Sequence, residues 1–193
     1  LFRDAAARQP DALNAAAQVE PLVEFCLERL RGLYLEAGYA TELFEAVRSV
    51  LDIEDIEPLD FNRRLQACQD FARLPAAGSL AGANKRIRNI LRKAGHTTAG
   101  NVEAGRLTDD AERQLHDAVE ARLSPVQKLI ETGAYSEALA QLAELREPVD
   151  RFFDDVMVMA DDPELQANRL ALLHRLQGLF LAIADVSALP EST

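Results

Sequence analysis

The residues whose types and spacing could do chemistry are concentrated in one short segment, residues 84–93, which we call the basic stretch. Five of the nine residues from 85 to 93 are Lys or Arg, although the whole chain has a formal net charge of -11. At 3.6 residues per turn, Ile87, Ile90 and Leu91 share one face of a helix with Ala94. The pattern predicts a helix that packs by this apolar face and presents concentrated positive charge to solvent, a surface suited to a polyanion.

The polar side chains of the basic stretch are of the types that contact nucleic acids. Lys and Arg neutralise phosphates, Arg can fork onto base edges, and Asn84 and Asn89 could hydrogen-bond to bases. The negative charge of the remaining chain favours one localised site over non-specific coating. Pattern alone leaves open a solvated helix face paired with acidic neighbours. A membrane-surface helix is a poor interpretation, because the stretch lacks Trp, Phe and Tyr.

Other candidate groups have simpler explanations. The pairs Asp109–Asp110, Asp154–Asp155 and Asp161–Asp162 could suggest a metal site, but two of them stand at predicted helix starts, where carboxylates cap backbone N–H groups. The three histidines show neither HxxxH nor HExxH spacing. GxSxG, GxGxxG and phosphate-binding loop motifs are absent from the sequence. We therefore predict no catalytic residue and no metal site in these 193 residues.

Several apolar groups are predicted to be structural. Cys26 and Cys68 occupy apolar helical positions without CxxC spacing, which indicates buried, reduced thiols in a cytoplasmic protein. Phe152–Phe153 and the pair Met157/Met159 are expected in the core. Pro125 lies inside a long helical pattern and should kink or split that helix.

The elements that position these residues are all helical in pattern. The sequence is rich in Ala and Leu and has only 9 Gly and 8 Pro, a composition that favours helices over sheets. Gly95 and Gly133 are expected to end helices, while Asp109 and Asp162 lie at expected helix starts. We count about seven substantial helices and no convincing strand, which predicts an all-α helical bundle.

Four segments, in the same order, resemble the β subunit of bacterial glycyl-tRNA synthetase. Residues 83–91 resemble its ANKRxxNIL motif, and residues 135–150 resemble YxxAL…LAxLRxPVD. Residues 152–159 are similar to FFDxVMVM, and residues 168–187 to NRLxLL…LF…ADxS. The similarity runs from about residue 58 to residue 189.

The resemblance implies an all-α anticodon-binding domain of the DALR type and a parent enzyme that joins glycine to its tRNA using ATP and Mg²⁺. In that family the aminoacylation site is in the α subunit, so no active site or cofactor is expected here. The implied partners are the anticodon arm of glycine tRNA and the α subunit, in an α2β2 or fused assembly. We expect part of a longer chain, with residues 1–57 leading into the domain, 58–189 forming it and 190–193 as a tail.

The resemblance also selects residues for RNA contact. It selects Asn84, Lys85, Arg86 and Asn89, and the charge argument adds three more, so the predicted set is Asn84, Lys85, Arg86, Arg88, Asn89, Arg92 and Lys93. Arg169 matches a family position but is interpreted as structural. Tyr135 could stack on a base, although a core role is favoured. The alternative hypothesis is a helical protein–protein interaction or subunit-docking module without RNA contact.

Overall fold

The structure is a computed structural model that describes residues 6–9, 15–52, 56–95 and 100–189. Its α-helices are α1 (Val19–Glu36), α2 (Thr41–Arg48), α3 (Pro58–Ala72), α4 (Ala77–Ala94), α5 (Asp110–Glu131), α6 (Tyr135–Ala143), α7 (Arg146–Asp155) and α8 (Pro163–Leu181). Short 3-10 helices span Ala15–Gln18, Ala104–Arg106 and Val186–Ala188. These ranges contain no strand, so the all-α prediction is confirmed for the part of the chain that is described.

All the helices from α2 through α8 contribute to one hydrophobic core. Its largest fully buried side chains are Phe61, Phe71, Phe152, Phe180, Leu65, Leu80, Ile87, Leu115, Leu139, Leu142, Leu145 and Leu172. Helix α1 contributes little to this core and buries Val19, Val23 and Leu27 in a small cluster of its own. Because α2 shares the main core with α3, that core extends across the expected boundary at residue 57; the division of the chain there stays a prediction.

The helix ends follow the expected signals. The Asp109 carboxylate and Glu112 form a capping box at the start of α5, and Asp162 accepts hydrogen bonds from the N–H groups of Glu164 and Leu165 at the start of α8. Gly95, at φ 73°, ends α4 in the left-handed region that favours glycine. Backbone polar groups at these ends are therefore satisfied as the sequence predicts.

Pro125 does not split α5, so the predicted split is wrong: residues 110–131 form one continuous helix, and a kink at Pro125 stays a prediction. A proline removes the hydrogen bond to the carbonyl four residues earlier, here that of Ala121. Because Ala121 is exposed, water can solvate that carbonyl in place of the lost N–H group.

Three apolar side chains lie elsewhere than expected. Cys26 is exposed on α1, whereas Cys68 is fully buried, and both are free thiols. Met157 and Met159 are 76% and 51% exposed in the segment that joins α7 to α8. The chain leaves α7 at Val156, which has an extended backbone, so Met157 and Met159 alternate with the buried Val158 and point away from the core.

A buried ion pair fixes the N-terminal end of α5 against α8. Arg169 is buried, and its guanidinium donates to the Glu112 carboxylate, to Asp109 and to the carbonyl of Met157. The Glu112 carboxylate is fully buried and also accepts the N–H groups of Thr108 and Asp109. Arg169 is thus a structural cross-link, as the sequence suggested.

Candidate nucleic-acid interface

Helix α4 carries the basic stretch and is fixed by its apolar face. Ile87 is fully buried, while Ile90, Leu91 and Ala94 are partly buried against the main core. The helix packs on α3, α7, α8 and the 3-10 turn at Val186–Ala188. Small residues in its first half, including Ala77 and Ala81, bring these neighbours close. The predicted docked face of the helix is therefore present.

The opposite side of α4 is a continuous polar surface. Its exposed side chains are those of Lys85, Arg86, Arg88, Arg92 and Lys93, with Asn89 partly exposed among them. We call these six residues the basic face. They form three adjacent pairs that begin three or four positions apart along the helix, so their side chains lie on one side and form one strip of positive charge. This arrangement concentrates cations in a chain that is otherwise acidic.

Asn84 does not belong to the basic face, and its expected outward orientation is wrong. Its side chain is only 3% exposed, and its Nδ2 donates to the Leu80 carbonyl at 2.9 Å, one turn earlier. The reason is helical phase: Asn84 lies three residues before Ile87 and four after Leu80, so it shares their buried side. Extending the apolar pattern backwards from Ile87 would have placed it there.

Arg88 links α4 to the end of the chain. Its guanidinium lies 3.0 Å from the carboxylate of Asp185, whose Oδ1 also caps the 3-10 turn by accepting the N–H of Ser187. The backbone N–H of Asp185 in turn donates to the Ala46 carbonyl on α2. Part of the positive charge of Arg88 is therefore neutralised within the protein, although its side chain remains about half exposed.

Arg92 and Lys93 lie in the last turn of α4. Arg92 donates to the Asn89 carboxamide oxygen at 3.1 Å, which orders both side chains. Cations in a last turn also interact favourably with the negative end of the helix dipole. Their presence is thus partly explained by helix stability, but their charge still projects into solvent.

Arg86 has a different environment, which the sequence did not reveal. Its guanidinium carbon lies over the ring of Phe153 on α7, 4.3 Å from the ring centroid. Phe153 packs edge-to-face on the buried Phe152, so the ring is fixed by the core. The periodicity of α4 carries no information about contacts with another helix. The sequence also placed Phe153 in the core, so it gave no reason to pair this ring with Arg86.

Tyr135 is a core residue and presents no ring for stacking. It is 4% exposed, its hydroxyl donates to Asp60 at 2.5 Å, and the Arg64 guanidinium covers its ring at 4.4 Å. Burial and the hydrogen bond to Asp60 raise its pKa. Arg64 also donates to the carbonyls of Ala182 and Ile183, so this cluster joins α3, α6 and the end of α8.

Within the described ranges, no group of three or more His, Cys, Asp or Glu side chains is arranged to hold a metal ion. None of the helices described is long and apolar enough to cross a membrane. His96 lies outside the described residues. The best-defined chemical feature of the described surface is therefore the basic face of α4.

Comparison with protein families matches a known domain to the region that contains the basic face. The model of the DALR anticodon binding domain matches residues 80–185, from the first turn of α4 to Asp185. The chain belongs to this family. The match includes the whole basic face together with Phe153 on α7 and Asp185, which hold Arg86 and Arg88.

Curated relatives extend the similarity to almost the whole chain. The glycine–tRNA ligase beta subunit of Marinobacter nauticus is 48% identical over 180 residues, which is 93% of this chain and 25% of that protein. The corresponding subunits of Ectopseudomonas mendocina and Vibrio campbellii are 48% and 45% identical over 90% and 89% of this chain. The chain spans about a quarter of the length of these relatives.

Proposed function

We propose that this chain recognises the anticodon arm of glycine tRNA as the anticodon-binding part of a glycine–tRNA ligase β subunit. The observation that carries the proposal is the basic face of α4, a localised cationic strip that lies inside the region matched by the DALR anticodon binding domain. We propose the tRNA of glycine, and not that of another amino acid, because the chain is similar to glycine–tRNA ligase beta subunits.

The proposed mechanism is recognition and not bond making. Lys85, Arg92 and Lys93 would contact backbone phosphates, while Asn89 and the forked guanidinium of Arg86 would bond to exposed bases of the loop. Ile87 holds the helix on the core, so these contacts are made from a rigid element. Arg88 would contribute less to RNA binding than its exposure alone suggests, because Asp185 already shares its charge.

The remaining chain supports a single binding region. With a formal net charge of -11, the protein as a whole repels a polyanion, and only a local concentration of cations attracts it. Such a surface orients an RNA as well as binding it. Correct docking of the anticodon arm would then direct the acceptor end towards an active site outside this chain.

The activity of the parent assembly is part of the same proposal. A glycine–tRNA ligase would use ATP and Mg²⁺, act in the cytoplasm and pair this β subunit with an α subunit, as separate chains or as one fused chain. The described residues offer no group suited to a metal ion, so we assign neither ATP nor Mg²⁺ to any residue here.

A protein-docking role has its own supporting observation on α1. Leu22, Phe25 and Leu33 are 46%, 57% and 64% exposed there, an unusual number of large apolar side chains on one helix. They lie on a different element from the basic face. A subunit contact through α1 is therefore compatible with RNA binding through α4.

A salt titration separates the two roles. For RNA, the logarithm of the binding constant falls with the logarithm of salt concentration by about 0.9 per duplex phosphate contact and about 0.7 per single-strand contact. We expect the Lys85→Ala/Arg92→Ala/Lys93→Ala variant to bind glycine tRNA more weakly, with a slope reduced by about 2 to 3.

The matched control removes three exposed cations that lie outside α4. Arg29→Ala/Arg73→Ala/Lys128→Ala has the same net charge as the α4 variant and leaves the basic face intact, so its affinity and slope should stay close to those of the wild type. Equal losses in both variants would show that only net charge matters. Tight binding without salt dependence would contradict the RNA proposal.

A further inference from the structure

We propose that Arg86 and Phe153 form a stacking site for one unpaired nucleobase of the bound RNA, with the base on the outer face of the Arg86 guanidinium. This inference rests on the proposed function and assigns Phe153, a residue of α7, to the interface. Arg86 then acts as a planar surface as well as a charge.

The guanidinium of Arg86 lies directly over the ring of Phe153. The guanidinium carbon of Arg86 lies 4.3 Å from the centroid of the Phe153 ring, a separation that leaves no room for a base between them. Phe153 meets Phe152 edge-to-face, with ring centroids 5.5 Å apart and planes at 78°. Since Phe152 is fully buried, the Phe153 ring has a fixed support in the core.

The outer side of Arg86 remains available. Its side chain is exposed, and among the described residues it has neither a carboxylate partner nor a hydrogen-bond acceptor. Arg88 and Arg92, in contrast, donate to Asp185 and Asn89. Arg86 is therefore held by an aromatic ring on one side while its N–H groups and second face stay open to a ligand.

A base is the ligand that fits this arrangement. A guanidinium is planar, weakly hydrated and stacks on aromatic systems, so it can lie between the Phe153 ring and a nucleobase. Arg also reaches phosphates, but a phosphate alone would not require the aromatic support. Preordering by Phe153 reduces the rotamer entropy that Arg86 would lose on binding.

Unpaired RNA is favoured over a duplex. The deep major groove of an RNA duplex is closed to side chains, whereas bases of single-stranded loops splay out and stack on aromatic rings or guanidinium planes. Asn89 and Lys93 lie three and seven residues after Arg86 and therefore follow it along the same side of α4. A base stacked on Arg86 would have its neighbouring phosphates beside them.

The test uses the 193-residue chain and a synthetic RNA hairpin with the anticodon stem and loop of glycine tRNA. Phe153→Leu removes the ring and keeps an apolar side chain, Arg86→Lys keeps the charge and removes the plane, and Phe153→Tyr keeps the ring as the matched control. Base stacking on a side chain is worth about a tenfold change in affinity, so both disruptive variants should bind about tenfold more weakly. Phe153→Tyr should bind like the wild type, and Arg86→Lys should keep the salt slope.

Abasic RNAs identify the stacked base. Each loop nucleotide is replaced in turn by an abasic residue, and at the stacked position the wild type and Phe153→Leu should bind equally well, because the base that Phe153 supports is gone. If Phe153→Leu instead binds every abasic RNA more weakly than the wild type does, and always by the same factor, Phe153 only supports the fold. That result would overturn the inference.

The failure of the inference and that of the proposed function are distinguishable. If Phe153→Leu and Arg86→Lys bind the intact hairpin as tightly as the wild type, with the salt slope unchanged, stacking is refuted and anticodon-arm binding stands. If the wild type binds neither the hairpin nor glycine tRNA, the proposed function fails and the stacking site fails with it. Thermal melting of each variant checks that the compared proteins are folded.

Discussion

Removal of the Arg169 side-chain charge should destabilise the fold without weakening RNA binding. In the Arg169→Met variant, the fully buried Glu112 carboxylate keeps the N–H groups of Thr108 and Asp109 but loses its guanidinium partner. The carbonyl of Met157 also loses its donor. The substitution therefore leaves a buried carboxylate without its opposite charge, which is the costly case for an ion pair.

The magnitude follows from burial. Removing one partner of a buried pair costs about 3–5 kcal/mol, and the two remaining N–H donors of Glu112 place this case near the lower end, about 3 kcal/mol. For a chain of this size that loss corresponds to a decrease in Tm of about 6–12 °C. The Arg169 and Glu112 side chains are 7% and 0% exposed, so solvent screens the pair very little.

Thermal and urea unfolding followed by circular dichroism would measure this effect. The matched control is Arg73→Met, since Arg73 lies 3.7 Å from Asp70 with both side chains more than half exposed. It should cost less than about 1 kcal/mol. An equal, small loss in both variants would refute the buried-pair argument. A selective loss of tRNA affinity by folded Arg169→Met would refute the assignment of Arg169 as purely structural.

Three further perturbations test other parts of the structure. Ile87→Ala should cost about 2–5 kcal/mol in urea unfolding, more than Ile90→Ala, because Ile87 is fully buried and Ile90 only partly; equal costs would contradict the docked face. Burial raises the pKa of the Cys68 thiol from 9.0 to about 12, so its contribution to stability is present below pH 9 and is lost as the pH rises towards 12. Between pH 9 and pH 12 the free energy of unfolding should therefore fall less for Cys68→Ala than for the wild type. An equal fall in both proteins would contradict the stabilising role of the buried thiol. Gly133→Ala, at φ +72°, should destabilise by about 1–2 kcal/mol, whereas Gly178→Ala inside α8 meets no atom within 4 Å and should stabilise by up to about 1 kcal/mol; melting temperatures that move in the same direction would refute this contrast.

The sequence predicted those features of the fold that depend on local pattern. The stripe with Ile87, the cap at Asp162 and the stop at Gly95 each rest on residues within one or two turns, so periodicity and backbone chemistry suffice to locate them. Local chemistry sets a cost for proline in a helix, but α5 continues through Pro125, where the residue whose carbonyl loses its N–H donor, Ala121, is exposed.

The candidate site was predictable only in part. The cations of α4 stand out by composition, but Asn84, which its amide side chain and the motif resemblance select for RNA contact, shares the buried phase of Ile87. The contacts of Arg86 with Phe153 and of Arg88 with Asp185 join residues that are far apart in the chain. Such pairings are set by how helices pack, which a single sequence does not report.

The set of residues in the basic stretch that we propose for RNA contact is smaller than the set predicted from the sequence. Lys85, Arg86, Asn89, Arg92 and Lys93 remain as candidate contacts, all on the solvent side of α4. Asn84 is an internal residue, and Arg88 is shared with Asp185. Phe153 is added by the structure and not by any motif interpreted as RNA-binding.

A footprint of glycine tRNA tests the central claim most directly. The tRNA is probed by chemical cleavage alone, with the wild-type chain and with the Lys85→Ala/Arg92→Ala/Lys93→Ala variant at equal concentrations. We predict that the wild type protects the anticodon stem and loop and that the variant loses this protection. Protection confined to the acceptor end, or anticodon-arm protection that the variant retains in full, would contradict the assignment of the basic face of α4 to the anticodon arm.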